Sequence, residues 1–180
     1  MKGIVFNLLA DLVEEQFGLD VWDDLIESTA PLSNGIYTSV ELYPDDELMA
    51  YVDAIANHTG ASKPDVIRLF GSYMLGRFAE LHPEFFAGHT IKSFLQSVHD
   101  VIHVEVEKLH PDALLPDFTY EDPGADGLIM HYQSPRKLCH LAEGLIDGCS
   151  KHFGIAVQQR HDSCMHDGAA ACRLELSFEA

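Results

Sequence analysis

The chain has 180 residues, of which 47% are hydrophobic, and its formal net charge at pH 7 is −18. A chain of this length and apolarity can bury one complete core without disulfides, so we expect a single domain over residues 1–180. Such a negative charge repels phosphate backbones and anionic membrane surfaces, which argues against nucleic-acid and membrane-surface binding.

The first residues do not have the pattern of a signal peptide, because their apolar stretch soon meets Asn7 and Asp11. No run of about 20 apolar residues is present that could span a bilayer. We therefore expect a cytoplasmic protein. In that compartment clustered cysteines more often bind metal or stay free than form disulfides. The four cysteines all lie in the last quarter of the chain, as Cys139, Cys149, Cys164 and Cys172.

Apolar residues recur at helical spacing through the first 110 residues. Leu8 and Leu12 share one stripe of a first helix that stops at Gly18. Pro44 and Ser62 mark the starts of two later helices, because proline suits the first turn and serine caps a free backbone N–H. The predicted helices cover about residues 3–17, 20–26, 45–59, 63–78 and 90–109.

After Pro111 and Pro116 the pattern changes to short apolar runs separated by turns. The prediction for this part is two strands near residues 118–120 and 128–130, a helix over 135–153, and closing strands near 155–163 and 171–178. Helices followed by antiparallel strands with one inserted helix indicate an α+β fold with a helical N-terminal lobe.

Tyr132, Ser134 and Arg136 alternate where the second strand gives way to a helix. Ser134 before Pro135 predicts a helix start, whose free N–H groups and positive dipole end attract anions. The guanidinium of Arg136 suits a carboxylate, and Tyr132 adds a hydroxyl. The pattern fits a ligand with two neighbouring carboxylates, such as heme. The same residues could also merely cap a helix, pack, and pair with a surface acid.

Two histidines stand out among the eleven in the chain. His99 and His103 are four residues apart on the predicted helix 90–109, and hence lie on one side of it. Either could ligate a heme iron, or both could share one metal ion with His110 or a nearby carboxylate. Spacing does not choose between His99 and His103.

A second cluster of possible ligands lies near the C-terminus. Its four residues have the composition of a Cys3His zinc site, namely Cys139, His161, Cys164 and Cys172. Free thiols, a reversible disulfide, or His166 in place of His161 are the alternatives. Cys149 is interpreted as a small buried residue.

The chain opens with Met-Lys-Gly-Ile-Val, carries Pro-x-Phe-Phe-Ala-Gly at residues 83–88, and follows the His103 helix with Pro116 and the Tyr132-x-Ser134-x-Arg136 pattern. In this combination and order the whole chain resembles a bacterial stand-alone heme-nitric oxide/oxygen-binding (H-NOX) domain, related to the heme domain of soluble guanylate cyclase. The resemblance implies heme b held between a distal helical lobe, about residues 1–62, and a proximal lobe with the sheet, about residues 63–180.

The resemblance also implies roles for individual residues. His103 would be the axial iron ligand, Pro116 a proximal contact, and Tyr132, Ser134 and Arg136 the propionate-binding groups. The distal pocket would be formed by Val5, Met74, Phe78, Leu141 and Leu145. Oxygen-binding members have a distal tyrosine where Leu141 stands, and bound O2 gains from such a donor. We therefore expect binding of NO and CO but not of O2.

The function implied is that of a sensor and not of an enzyme. Binding of NO would release His103, the heme and the lobes would rearrange, and a partner in trans, a histidine kinase or a cyclic-di-GMP-metabolising enzyme, would respond. Some members also carry zinc. Cys139, two residues before Leu141, lies about 200° around the helix from it, on the side where the last hairpin could pack.

Two other functions are compatible with parts of the pattern. A zinc-thiolate redox switch would lose zinc when peroxide oxidises its cysteines, and would regulate the same kind of partner. A metal-dependent hydrolase using His99 and His103 lacks an H-E-x-x-H signature. The chain also lacks a Walker loop, a dinucleotide fingerprint and a nucleophile elbow.

Overall fold

The computed structural model of the protein describes residues 1–179. Within them the helices are α1 Gly3–Phe17, α2 Leu19–Thr29, α3 Asp45–Thr59, α4 Lys63–Leu81, α5 Ile91–Ser97, α6 His103–Leu109 and α7 Cys139–Phe153. The strands are β1 Asp117–Glu121, β2 Gly127–Gln133, β3 Ala156–Ser163 and β4 Cys172–Glu179. None of the described helices is both long and apolar enough to cross a bilayer.

The first compact unit, Met1–Phe70, is built from helices around an aromatic core. Phe6 stacks on Tyr37 with ring centroids 4.2 Å apart, and Trp22 stacks on Tyr51 at 4.7 Å. The buried hydroxyl of Tyr37 donates to that of Tyr51 at 3.3 Å. The buried tyrosine hydroxyls of this core are thus hydrogen-bonded to each other.

The second compact unit begins at Gly71 and contains an antiparallel sheet in the order β1-β2-β4-β3. The inner face of the sheet and one side of α7 share a single apolar core, which includes Leu128, Met130, Ala142, Ile146, Leu174 and Leu176. Helix α7 is inserted between β2 and β3 in the chain. The predicted α+β class, with a helical N-terminal part and a small antiparallel sheet, is confirmed. The division near residue 62 stays a prediction.

Helices α4 and α7 touch backbone to backbone at two glycines. A Cβ atom on Gly71 would lie 2.4 Å from the carbonyl oxygen of Leu141 and 2.9 Å from the amide nitrogen of Leu145. A Cβ atom on Gly148 would lie 2.6 Å from the Cβ of Leu75. Ordinary contacts begin at 3.4 Å, so both positions need a residue without a side chain. This contact fixes the C-terminal part of α4 against α7.

The predicted helix over residues 90–109 is interrupted in the structure. Thr90 caps α5 through a hydrogen bond from the Ser93 N–H, but Val98–Ile102 then winds as a π-helix before α6 begins at His103. Apolar periodicity runs on through this stretch and gives no sign of the change. Single π-helical turns are rare and frequently accompany functional sites.

The start of α7 differs from the prediction. The helix begins at Cys139, not at Pro135, so Ser134 is not its N-cap. The intervening turn is closed by a hydrogen bond from the Lys137 N–H to the Ser134 carbonyl, and Lys137 has a left-handed φ of 52°. A left-handed residue ends any right-handed helix that Pro135 could begin. The anion site therefore does not lie at a helix N-terminus.

Candidate functional site

His103 is the first residue of α6 and is partly buried. Burial lowers the pKa of His103 to about 4, with a smaller lowering from His99 and an opposing effect of the Pro116 carbonyl and Asp117. At pH 7 the ring is therefore neutral, which is the form that ligates a metal. Its Nδ1 atom is buried and makes no hydrogen bond of normal geometry within residues 1–179. The site thus holds a neutral imidazole with unused hydrogen-bonding capacity.

His99 lies beside His103, with ring centroids 6.3 Å apart. The Phe118 N–H donates to the Nδ1 atom of His99 at 3.5 Å, at the start of β1. One nitrogen of His99 thus accepts a backbone N–H, whereas the backbone group near the His103 ring is the Pro116 carbonyl, which can only accept. This difference favours His103 over His99 as a ligand, a choice that spacing alone left open.

Phe118 is a residue of the site that the sequence analysis did not single out. Its ring centroid lies 5.8 Å from that of His103 and 5.6 Å from that of Tyr132. It therefore connects the helix that carries His103 to the strand that leads into Tyr132, Ser134 and Arg136, the three residues named the clamp. The sequence predicted only that Phe118 lies in a strand, and no local motif distinguishes it.

The clamp residues lie together at the end of β2. The Tyr132 hydroxyl accepts the Leu138 N–H at 2.9 Å, and the Ser134 hydroxyl accepts the Arg136 N–H at 3.3 Å. Burial raises the pKa of Tyr132, so its hydroxyl stays protonated and can donate to an anion. The hydroxyls of Tyr132 and Ser134 are thus held in place by backbone N–H groups of residues 136–138.

The guanidinium of Arg136 reaches outside this segment. It donates to the carbonyl of Leu114, in the connection between α6 and β1. That connection also contains Pro116, whose carbonyl lies near the His103 ring. The structure therefore brings His103, Pro116, Tyr132, Ser134 and Arg136 into one region of the second unit.

The residues predicted to line the distal pocket lie on three helices. Met74 and Phe78 follow Gly71 on one face of α4, and Leu141 and Leu145 lie on α7 at the Gly71 contact. Met74 is buried, and the other three are partly buried. Val5 lies on α1 in the first unit. The four residues of the second unit are apolar and bring no hydrogen-bond donor.

The predicted Cys3His set is brought together. The ligand atoms of Cys139, His161, Cys164 and Cys172 all lie within 4.8 Å of one another. The Sγ of Cys164 is 3.8 Å from that of Cys139 and 3.8 Å from that of Cys172. Two sulfurs held about 2.3 Å from a tetrahedral zinc are about 3.8 Å apart, whereas a disulfide bond is about 2.05 Å long. The cluster therefore has the dimensions of a zinc site and not of a disulfide.

The remaining ligand and its neighbours also fit a cation. The Nε2 of His161 is buried and has no hydrogen-bond partner within residues 1–179. Backbone N–H groups of Met165 and His166 point at the sulfurs of Cys172 and Cys164, at 3.2 and 3.4 Å. Burial raises the pKa of Cys139 and Cys172, so these thiols need a cation nearby to become thiolates. Cys149 is buried in the core.

The sequence model of the family described as "Haem-NO-binding" matches residues 2–161. The chain belongs to this family. The H-NOX protein of S. oneidensis, in the Fe(II)NO ligation state, is 36% identical and superposes with a TM-score of 0.93 over 100% of both chains. The unliganded Fe(II) H-NOX protein of K. algicida is 30% identical, with a TM-score of 0.91 over 100% of this chain and 97% of that chain. The H-NOX resemblance is thus confirmed at the level of the family.

Curated relatives of this H-NOX chain are longer proteins. Soluble guanylate cyclase gcy-32 of Caenorhabditis elegans is 22% identical over 177 residues, 92% of this chain and 26% of that protein. Soluble guanylate cyclase 89Da of Drosophila melanogaster is 24% identical over 139 residues, 76% of this chain and 20% of that protein. The chain thus has the fold of heme-based gas-sensing domains and spans about a quarter or less of these cyclases.

Proposed function

We propose that this H-NOX domain is a heme-based nitric oxide sensor that passes NO binding to a separate signalling partner. The observation that carries the proposal is His103, a neutral, partly buried imidazole beside the Pro116 carbonyl, next to a Tyr-x-Ser-x-Arg clamp. A neutral imidazole suits iron, and the clamp suits two carboxylates. The two features together fit heme better than a lone metal ion.

His103 would hold the iron from the proximal side, with Pro116 beside it, and Tyr132, Ser134 and Arg136 would bind the propionates. Bound heme b would supply a ferrous iron that takes NO or CO as a ligand. The S. oneidensis relatives in Fe(II)NO and Fe(II)CO ligation states support this ligand class. Arg136 would keep the propionate side connected to the Leu114 carbonyl, and so to the segment that follows α6.

The distal residues would decide between diatomic ligands. Bound O2 carries partial negative charge and is stabilised by a hydrogen-bond donor, whereas NO binds ferrous iron strongly without one. Val5, Met74, Phe78, Leu141 and Leu145 are all apolar. We therefore infer that the domain binds NO and CO and discriminates against O2. A stable O2 complex of the reduced protein in air would refute this part of the proposal.

Signal transmission would begin at the helix that carries His103. The π-helical segment Val98–Ile102 directly precedes it, and a π-helix is wound less tightly than an α-helix. When His103 is released, a return of this segment to α-helical hydrogen bonding would rotate α6 relative to α5. A histidine kinase or a cyclic-di-GMP-metabolising enzyme in the cytoplasm would then respond to the changed surface. The output would lie in trans, and the domain itself would not be an enzyme.

Absorption spectra of the purified ferrous protein test the heme proposal. We expect a five-coordinate spectrum without ligand, a changed spectrum with NO, and no O2 adduct. His103→Ala should lose the five-coordinate histidine signature and regain it when imidazole is added. His99→Ala is the matched control and should keep it. A normal spectrum from His103→Ala, or no heme after expression with adequate heme supply, would overturn the proposal.

We further propose that Cys139, His161, Cys164 and Cys172 bind a zinc ion. The 3.8 Å sulfur spacings and the unpartnered Nε2 of His161 support the assignment. Such an ion would join β3, β4 and the turn between them to the start of α7. Metal analysis of protein prepared without chelator should give one zinc per chain. Cys172→Ser should lose it, whereas Cys149→Ser, which alters a core thiol outside the cluster, should retain it.

A zinc-thiolate redox switch is the second candidate, because the sulfurs of Cys139 and Cys172 each lie 3.8 Å from that of Cys164 and are near enough to react with it once zinc is lost. Hydrogen peroxide would take two electrons from two of the thiolates and be reduced to water. The two sulfurs would form a disulfide, and zinc would be released. Peroxide-driven zinc release with altered partner binding in heme-free protein would support this function. Zinc retention under peroxide at concentrations that oxidise free thiols would contradict it.

A further inference from the structure

Glu143 is a buried carboxylate of α7 that the proposed heme and zinc sites do not use. Its side chain is 8% exposed. One carboxylate oxygen lies 2.7 Å from the Nδ1 of His140, and the other lies 2.8 Å from the Nδ1 of His161. These distances are those of charge-assisted hydrogen bonds. A buried carboxylate is tolerated when donors satisfy its oxygens, and here two imidazoles do so.

The two contacts favour one tautomer of each imidazole when Glu143 is a carboxylate. An ionised carboxylate only accepts hydrogen bonds, so each facing Nδ1 must carry its proton. A neutral imidazole that is protonated on Nδ1 has its lone pair on Nε2. In His161 that Nε2 is buried, unpartnered and within 4.8 Å of the three sulfurs. The carboxylate therefore leaves His161 in the tautomer that can ligate a metal.

We propose that Glu143 is a positioning residue of the metal centre, which presets the tautomer and the ring orientation of His161 before the ion binds. The inference rests on the proposed zinc site. Carboxylates behind ligating histidines raise ligand basicity, and their loss typically weakens metal affinity about 10–100-fold. His161 comes from β3 and Glu143 from α7, so the pair sets the ligand across two elements.

His140 extends the same arrangement toward the turn between β3 and β4. Its ring stacks on that of His166, with centroids 5.9 Å apart and planes 10° apart. The Nε2 of His166 in turn donates to the Lys137 carbonyl at 2.8 Å. The Nε2 of His166 is thus occupied by a backbone carbonyl, whereas the Nε2 of His161 is unpartnered and close to the three sulfurs. This argues against His166 in place of His161.

The first measurement uses zinc-free wild-type protein labelled with ¹⁵N, in which long-range ¹H–¹⁵N correlations identify the protonated nitrogen of each imidazole. We expect His161 to be protonated on Nδ1 and bare on Nε2. A His161 protonated on Nε2 would overturn the inference without reference to zinc. This arm does not depend on any variant folding correctly.

The second measurement is zinc affinity by competition with a chromophoric chelator, with Co²⁺ spectra as a check of the ligand set. Glu143→Gln keeps the shape of the side chain but removes one accepting oxygen, so it should bind zinc about 10–100-fold more weakly. His140→Gln is the matched control and should match the wild type, because its amide can still donate to Glu143. Equal affinities of Glu143→Gln and wild type would overturn the inference.

The two proposals fail in different ways. If wild-type protein and His140→Gln bind no zinc, the proposed zinc site is wrong, while the tautomer of His161 still tests Glu143. If wild-type protein binds zinc through three sulfurs and one nitrogen but Glu143→Gln binds it equally well, only the positioning role is wrong.

Discussion

Replacement of Gly71 by alanine tests the contact that places α7, and with it Cys139, Leu141 and Glu143. The new Cβ would lie 2.4 Å from the Leu141 carbonyl oxygen, with backbone atoms also at 2.9 and 3.0 Å. Because these neighbours are backbone, no side chain can rotate away. One helix must shift by about 1 Å to restore an ordinary contact, and overpacking of this kind costs about 1–3 kcal/mol.

Alanine also favours a helix over glycine by about 1 kcal/mol, which offsets part of that cost. With overpacking at the upper end of its range, we expect Gly71→Ala to lower the free energy of unfolding by about 2 kcal/mol. For a chain of this size that is about 4–8 °C in Tm. Gly76→Ala is the control on the same helix, since a Cβ there has no neighbour within 4 Å. It should raise Tm by about 2–4 °C.

Thermal unfolding followed by circular dichroism, on proteins with equal heme and zinc content, measures both effects. The opposite signs of the two alanine variants are the decisive feature, because helix propensity acts equally in both. If Gly71→Ala is as stable as Gly76→Ala, α4 and α7 have room for a methyl group. The reasoning that glycine sets their separation would then be refuted.

Three further outcomes are expected. The pKa of His103 is about 4 in the folded protein and 6.5 for a free histidine, so the unfolded chain binds the proton more readily between these values. The free energy of unfolding of the heme-free protein should therefore fall by at most about 3 kcal/mol as the pH is lowered from 6.5 to 4. Urea titrations measure this, and His103→Gln should remove the pH dependence. Tyr132→Phe removes the acceptor of the Leu138 N–H and should lower the free energy of unfolding by about 1 kcal/mol. It should also speed the transfer of heme to apomyoglobin, and an unchanged rate would contradict the role of Tyr132 in binding the propionates. Lys137→Gly should raise the free energy of unfolding by about 1 kcal/mol in urea, since Lys137 is left-handed.

Much of the fold could be predicted from the sequence because its signals are local. Apolar periodicity after Pro44 predicted a helix over residues 45–59, and α3 has these bounds, with a left-handed Gly60 at its end. The four strands followed from apolar runs between turns, and all four are present. The π-helical segment Val98–Ile102 could not be predicted, because its apolar spacing is compatible with a continuous α-helix.

The candidate site depends more on tertiary contacts. The four thiol and imidazole ligands could be proposed from residue type, and the structure brings them together. Phe118 and Glu143 could not be singled out, since an aromatic residue on a strand and an acid on a helix are ordinary. Only the approach of His103 to Phe118, and of His140 and His161 to Glu143, gives these two residues a role.

The turn before α7 shows why local signals can indicate the right residues and the wrong geometry. Ser134 and Pro135 have the pattern of a helix start, but the Tyr132 hydroxyl takes the Leu138 N–H, and Lys137 turns left-handed. In a helix that began at Pro135, the rotation of about 100° per residue would fix the direction of the Cys139 side chain relative to Pro135. The non-helical turn removes that constraint, and Cys139 enters the first turn of α7 within 3.8 Å of the Cys164 sulfur. The clamp and the cysteine cluster are therefore joined by one backbone segment, and the orientation of one limits that of the other.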